Sequence, residues 1–268
     1  MTALSTGAIV RLNELRHVRG ACLIADESRP LADGWLTYSE GVPWITRLTG
    51  LGLERMPTPD ELDRIIPFFR ERSAQPRVEF PGTVSESTLQ AIGKRGFSLH
   101  SVEHVLARLI DPADTRPPWT PEGVRVERVD PGDDTMIRTH ATVSLAGFLP
   151  PGTRPSDGMY TMAARALRNP RTDAFIAWRD QRPIGACGME SDEINGVRLS
   201  ALWGATVLPE FRRQGVQRAL IEHRLAFARS RGGVLAVIES APGIPTERHA
   251  ARVGFALISS RVVLVAGE

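Results

Sequence analysis

Downstream of residue 123, apolar runs of strand length alternate with stretches whose apolar residues recur at helical spacing. Five runs predict strands: Val124–Val129, Ala174–Trp178, Ile184–Met189, Leu199–Val207 and Val234–Ile238. Four stretches predict helices: Asp133–Ala146, Gly158–Arg168, Gln214–Ser230 and Pro245–Val253. A closing hairpin is predicted over Ala256–Ile258 and Arg261–Val265. This alternation predicts an α/β fold with a mixed sheet and strand–helix–strand crossovers.

The first part of the chain repeats, in a less complete form, the order of predicted strands and helices found in the later part. Its predicted elements alternate between strand and helix: Trp44–Leu53, Pro59–Arg72, Arg77–Phe80, Ser85–Lys94 and Val102–Leu109. In both parts a Gly-Phe-x-Leu landmark precedes the last predicted strand or hairpin, at Gly96 and at Gly254. The shared order predicts a tandem duplication, although Gly-Phe before a strand also occurs by chance.

Proline marks the boundary between the two parts. Four prolines fall within the segment from Asp111 to Gly123, and proline interrupts both helices and central strands. We therefore predict two domains, over residues 1–113 and 120–268.

Composition disfavours several classes of protein. The 268 residues are 42% hydrophobic and carry a net charge of +2, which is typical of a globular chain and disfavours a nonspecific nucleic-acid binder. Cys22 and Cys187 stand far apart and the histidines lack metal-ligand spacing, so we expect no metal site. The absence of a signal-peptide pattern and of a membrane-length apolar run predicts a soluble cytoplasmic protein with no membrane partner.

One strand-to-helix junction carries the strongest chemical signal. After the apolar strand Leu199–Val207 come Pro209, the pair Arg212 and Arg213, and then Gly215, where the next helix begins. The first turn of a helix presents unpaired N–H groups and a partial positive charge, and glycine lets a bulky anion approach the backbone. The junction therefore predicts a diphosphate site, with a solvated basic helix start as the alternative. It matches neither a Walker loop nor the Rossmann glycine pattern.

This junction resembles the pyrophosphate motif of the GNAT superfamily of N-acetyltransferases, Gln/Arg-x-x-Gly-x-Gly/Ala. Here the motif occupies Arg212–Gln217 and departs from the pattern at Gln217. The segment Glu239–Phe255 is similar to the acceptor-side segment of that family. The resemblance covers about 120–268. Residues 1–113 resemble a degenerate GNAT half, because their loop at Glu54–Asp60 lacks the arginine–glycine motif.

The resemblance implies the GNAT fold, with a mixed, mostly antiparallel sheet flanked by helices. It also implies acetyl-CoA, or another acyl-CoA, in a V-shaped opening between Leu199–Val207 and Val234–Ile238. Helix-start amides would hold the pyrophosphate, the end of the first strand would hold the pantetheine arm, and an N–H near Val207 would polarise the thioester carbonyl. The cofactor-binding residues that it implies are Ala205, Thr206, Val207, Arg212, Arg213, Gln214, Gly215, Val216, Gln217, Arg218, Thr246, His249 and Arg252.

The implied reaction is direct acetyl transfer to a primary amine of a small molecule or peptide. Glu190 or Glu239 would accept the amine proton, unless both are simply solvated strand-end carboxylates. Many members of the family place a tyrosine where Ala250 stands, to protonate the departing thiolate. Either Ser240, Ser259, Ser260 or solvent would then protonate the thiolate, or acetyl transfer would be slow.

Two other functions stay open at this stage. The missing tyrosine also suits a non-catalytic sensor that binds acyl-CoA, and the same fold could serve as an interaction protein without a cofactor. We expect a monomer or a homodimer, and no nucleic-acid partner.

Overall fold

The computed structural model describes residues 4–150 and 153–267, which divide into two compact units. One unit contains the chain up to Val105 together with the segment from Ile258 onward, and the other contains Leu106–Leu257. The earlier elements are α1 (Thr6–Ile24), β1 (Glu27–Leu31), β2 (Gly34–Tyr38), β3 (Arg47–Thr49), α2 (Pro59–Asp63), α3 (Ile65–Arg70), β4 (Arg77–Pro81), α4 (Glu86–Gly93) and β5 (Phe97–Leu109). The later elements are β6 (Arg125–Arg128), α5 (Asp134–Phe148), α6 (Asp157–Arg168), β7 (Thr172–Arg179), β8 (Arg182–Ile194), β9 (Val197–Val207), α7 (Val216–Ser230), β10 (Leu235–Ser240), α8 (Pro245–Arg252) and β11 (Ala256–Ala266).

The first unit has a sheet in the order β1-β2-β3-β4-β11-β5. Strands β3 and β4 are parallel, whereas β1–β2, β2–β3 and β4–β11 are antiparallel. Ile65 and Phe69 of α3 and Ile92 of α4 pack with Leu48 and Phe80 of the sheet, and all five are fully buried. This unit therefore has a core of its own.

The second unit has a sheet in the order β10-β9-β8-β7-β6. Strands β9 and β10 are parallel, and the other three neighbouring pairs are antiparallel. Helix α7 packs on this sheet because its apolar residues recur along one stripe: Val216, Leu220 and Leu225 join Ile184 and Ala236 in a single cluster. The predicted mixed, mostly antiparallel sheet flanked by helices is confirmed.

The two units repeat one pattern of strand pairing. In the first unit, two antiparallel pairs lead through β1, β2 and β3 to the parallel pair β3–β4, and β7, β8, β9 and β10 repeat that series in the second. The two Gly-Phe landmarks also match in conformation. Gly96 and Gly254 have φ values of +86° and +87°, and each precedes a buried phenylalanine. These common features agree with the predicted duplication.

Residues 256–266 differ from the sequence prediction. They form the single strand β11 instead of a hairpin, and from Arg261 to Val265 this strand pairs with β4. The segment from Ile258 onward therefore lies in the first unit, although the predicted second domain, 120–268, contained it. The first stretch of the first unit ends at Val105, before the proline-rich segment, because Leu106 and Ile110 pack in the core of the second unit.

Two predicted elements of the first half also differ in the structure. The helix predicted over Pro59–Arg72 is two helices, because Pro67 cannot donate a backbone hydrogen bond to the preceding turn. Of the strand predicted over Trp44–Leu53, only β3 forms, and after it Gly50 and Gly52 both adopt φ +79°. Helix α1 and the β1–β2 hairpin were not predicted. None of the described helices is both long and apolar enough to cross a bilayer.

Candidate functional site

Strands β9 and β10 separate at one end. Their parallel register runs from Leu199 to Leu202 on β9, opposite Leu235–Ile238 on β10, while β9 continues to Val207. A bulge accompanies this separation: the β8–β9 register shifts between Ala186 and Gly188, and Gly204 on β9 adopts φ +61°. Because a bulge bends its strand, the last residues of β9 run along an opening instead of along β10.

A buried arginine stabilises the bulge. The Arg224 side chain of α7 is 1% exposed. Its guanidinium donates to the carbonyls of Gly188 at 2.9 Å, Trp203 at 3.3 Å and Leu220 at 2.9 Å. Burial lowers the pKa of Arg224. The guanidinium thus satisfies strand carbonyls at the point where the β8–β9 ladder is irregular.

A second helix contributes a polar contact at the same irregularity. His140 of α5 is 2% exposed, and its Nε2 lies 3.0 Å from the Cys187 carbonyl. Cys187 stands between the two residues at which the β8–β9 register shifts. Burial lowers the pKa of His140 to about 4, while the hydrogen bond to Cys187 opposes this shift. His140 is therefore neutral at pH 7 and acts as the donor to that carbonyl.

This buried histidine predicts loss of stability in mild acid. The pKa of His140 is lower in the folded chain than its ordinary value of 6.5, so its contribution is complete above pH 6.5 and is lost as the pH falls towards 4. We expect the wild type to lose up to roughly 3 kcal/mol over this interval through this one group. Urea unfolding at pH 7 and pH 4.5 should show a smaller loss for His140→Gln.

The exposed His100 provides the control for this prediction. The His100→Gln variant should keep the pH dependence of the wild type. Equal losses in the wild type and in His140→Gln would show that His140 is not the group responsible.

The loop before α7 exposes backbone donors. A 3-10 turn over Pro209–Phe211 leads into Arg213 and Gly215, whose φ values are +65° and +82°. Gly215 is the N-cap of α7 and provides no side-chain cap, so the N–H groups of the first turn are left for a ligand or water. A positive φ at a non-glycine residue is costly and is concentrated at functional sites. Arg213 is such a residue.

A cavity of about 1070 Å³ lies at the open end of β9. Five of its lining residues are arginines, and no Asp or Glu is among those that the structure describes. This charge pattern favours a polyanionic ligand. The lining residues are Trp119, Gly147, Ala205, Thr206, Val207, Phe211, Arg212, Arg213, Gly215, Val216, Gln217, Arg218, Pro245, Thr246, Arg248, His249 and Arg252.

Two of the lining side chains are constrained by their surroundings. Arg212 is folded back, and its Nε donates to the Val207 carbonyl at 3.1 Å. His249 has a buried Nδ1 without a hydrogen-bond partner among the described residues. Burial lowers the pKa of His249, and the nearby charges of Arg252 and Arg248 lower it further. His249 is therefore a neutral imidazole at pH 7.

The predicted cofactor-binding residues come together around this cavity, with one exception. Gln214 does not line it: its Nε2 donates to the Glu210 carbonyl at 3.1 Å, and its Oε1 accepts from Arg179. Gln214 thus holds the loop in shape. Five further lining residues were not predicted from the sequence, namely Trp119, Gly147, Phe211, Pro245 and Arg248.

The three predicted catalytic residues are not among the residues that line the cavity. Glu190 is inside β8 and not at its end; it stands opposite Ala201 on β9, five residues and thus about 17 Å from Thr206. Glu239 and Ser240 follow the last residue of β10 that pairs with β9. The Ser240 Oγ is buried and makes no hydrogen bond within the described part of the chain.

Comparison with known proteins finds a family match for part of the chain and structural neighbours for most of it. The model of the acetyltransferase (GNAT) family matches residues 140–255, and no curated protein matches the sequence. A GCN5-related N-acetyltransferase from Kribbella flavida has a TM-score of 0.69 at 16% identity, over 97% of this chain and 96% of that one. A tandem GNAT protein from the clavulanic acid biosynthesis pathway has a TM-score of 0.58 at 14% identity, over 78% and 67%. The chain therefore shares its fold with GNAT proteins, one of them a tandem member.

Proposed function

Because residues 140–255 match the model of the acetyltransferase (GNAT) family, we propose that this chain transfers an acetyl group from acetyl-CoA, or another acyl-CoA, directly to a primary amine of a small molecule or peptide. One observation carries the proposal: five arginines and the uncapped start of α7 surround a cavity at the end where β9 and β10 separate.

The cavity fits the parts of an acyl-CoA. Its volume of about 1070 Å³ is at the upper end of the range for ligand pockets, as a long nucleotide cofactor needs. The amides from Arg213 to Arg218 would hold the pyrophosphate, and Gly215 admits it because a helix start with no Cβ lets a phosphate approach. When bound, acetyl-CoA supplies the acyl group as an activated thioester.

The last residues of β9 would bind the pantetheine arm. Leu208 donates its N–H to the Ile184 carbonyl of β8 at 2.9 Å. Since backbone donors alternate along an antiparallel strand, the N–H of Val207 faces away from β8, towards the opening. An unpaired donor at that place is suited to bind the thioester carbonyl and to stabilise negative charge on its oxygen.

Proton transfer is assigned to the end of β10. Of the two candidate carboxylates, Glu239 is beyond the part of β10 that pairs with β9, while Glu190 is opposite Ala201, which lies within the part of β9 that pairs with β10. We therefore assign the amine proton to Glu239 and the protonation of the thiolate to Ser240. The Glu239→Gln variant should lower kcat roughly 100-fold or more while the KM for acetyl-CoA stays within about twofold. Unchanged kcat in this variant would exclude Glu239 as the base.

The proposal is tested by turnover. Purified protein incubated with acetyl-CoA and a panel of primary amines should release free CoA only when an accepted amine is present. The same protein should be stabilised against heat by excess acetyl-CoA, by RT ln(1 + [L]/Kd). If acetyl-CoA causes neither CoA release nor thermal stabilisation, the chain is instead an interaction protein that uses the fold without a cofactor.

A second candidate function is a sensor that binds acyl-CoA without turnover. It is favoured by Ala250, which is fully buried where many family members have a tyrosine, and by the lack of a carboxylate among the described lining residues. Tight CoA binding with no CoA release in the presence of any amine of the panel would identify the sensor.

The paired arginines give a test of the site itself. Replacing both Arg212 and Arg213 with Ala removes two charged groups at the start of α7, and charge-assisted bonds to phosphate are among the strong ones. We expect CoA to bind about tenfold or more weakly in calorimetry. The double variant Arg125→Ala and Arg128→Ala removes the same charge from β6, away from the cavity, and should bind CoA normally. Equal affinities in the two double variants would remove the proposed site.

A further inference from the structure

The proline-rich segment is attached to α7 in the second unit. The Trp119 N–H donates to Glu222 Oε2 at 2.8 Å, and Thr120 Oγ1 lies 2.8 Å from His223 Nε2. Further along the helix, Arg229 donates to the Arg116 carbonyl at 3.2 Å and also pairs with Asp114. Residues 114–120, which we call the strap, therefore follow α7 towards the cavity.

The strap places an indole ring at the edge of the cavity. Trp119 lines the cavity and is 39% exposed. The Arg218 guanidinium lies 4.5 Å from the centre of the Trp119 ring. A Cβ on Gly215 would be 2.6 Å from Trp119 Cη2. The ring thus stands beside the first turn of α7, next to the proposed pyrophosphate position.

The attachment of the strap does not account for this ring. The Glu222 contact uses only the backbone of Trp119, and the other contacts along the strap involve Asp114, Arg116 and Thr120. Large aromatic residues usually bury most of their surface in a core. An exposed indole beside an arginine, at the mouth of a cavity for a polyanion, is instead suited to stack on a nucleobase.

We propose that Trp119 binds the adenine ring of the acyl-CoA nucleotide by stacking. This inference rests on the proposed function, because it needs the pyrophosphate on the first turn of α7. With the diphosphate there, the acyl arm extends along β9 and the adenosine leaves the cavity on the side of Trp119. Arg218, which stacks on the same indole, adds positive charge near the nucleotide phosphates.

Calorimetry with three ligands tests the assignment. They are CoA and two of its fragments: adenosine 3′,5′-bisphosphate, which carries the adenine, and 4′-phosphopantetheine, which lacks it. Trp119→Ala should bind CoA and the bisphosphate roughly tenfold or more weakly than the wild type, as the loss of one stacked base predicts. Its affinity for 4′-phosphopantetheine should not change. Trp119→Phe keeps an aromatic face and should restore most of the lost affinity.

Trp44→Ala is the matched control, because Trp44 is also 39% exposed but belongs to the first unit. It should bind all three ligands like the wild type. If Trp119→Ala keeps full affinity for CoA, or loses affinity for 4′-phosphopantetheine to the same extent, the adenine assignment is overturned while the proposed function stands. If the wild type binds none of the three ligands, the proposed function and this inference both fail.

Discussion

Replacing Gly215 with glutamate should weaken CoA binding on the order of 100-fold or more. Gly215 adopts φ +82° at the start of α7, and a Cβ there would be 2.6 Å from Trp119 Cη2. The new side chain would displace the indole and place a negative charge where two phosphates are expected, and like charges in contact cost several kcal/mol. Calorimetric titration of Gly215→Glu with CoA measures the effect.

The chain contains a matched control for this substitution. Gly196, in the turn between β8 and β9, has φ +75°, and nothing lies within 4 Å of the position of its Cβ. Gly196→Glu therefore imposes a similar backbone strain and the same charge change without filling the cavity, so it should bind CoA like the wild type. Normal CoA affinity in Gly215→Glu would show that the first turn of α7 is not a phosphate site.

Replacement of Arg224 by Met should destabilise the protein by about 3 kcal/mol or more. The Met side chain keeps part of the volume but leaves up to three backbone carbonyls without their donor, among them those of Gly188 and Trp203. Each buried polar group left unsatisfied costs roughly 1–3 kcal/mol. The urea midpoint of Arg224→Met, compared with that of the wild type, gives the measurement.

Arg218 provides the contrast, because it is on the same helix but its side chain is 51% exposed and pairs with Glu222. An exposed pair of this kind contributes about 0.5 kcal/mol, so Arg218→Met should leave the urea midpoint almost unchanged and weaken CoA binding instead. A loss of stability as large in Arg218→Met as in Arg224→Met would contradict the role given to the buried guanidinium.

The elements of the second unit follow closely from the sequence, because their apolar periodicity is set by burial against one sheet. Helix α7 and strand β9 begin or end within two residues of their predicted bounds. The loop with Arg213 and Gly215 was also predictable, since a strand, a basic loop and a helix follow one another without a gap. Local patterns thus specify both the elements and the helix start between them.

Features that depend on distant pairing were not predictable in this way. The partner of β11 is β4, about 180 residues earlier in the chain, and no local pattern records that pairing. Trp119 was not predicted to line the cavity, because it lies in a segment whose prolines indicated a linker, although a tryptophan in such a segment is unusual. The burial of Arg224 could have been predicted, because Arg224 follows Leu220 by four residues and so falls on the apolar stripe of α7.

The position of β11 has a consequence for synthesis on the ribosome. Most of the first unit is translated early, yet β4 acquires its antiparallel neighbour only once residues 261–265 have been made. Pairing between such distant segments is slow and exposes unpaired edges in the meantime. The nascent first unit therefore keeps an unpaired strand edge until β11 has been translated. A transcript truncated before that point would yield a chain prone to aggregate.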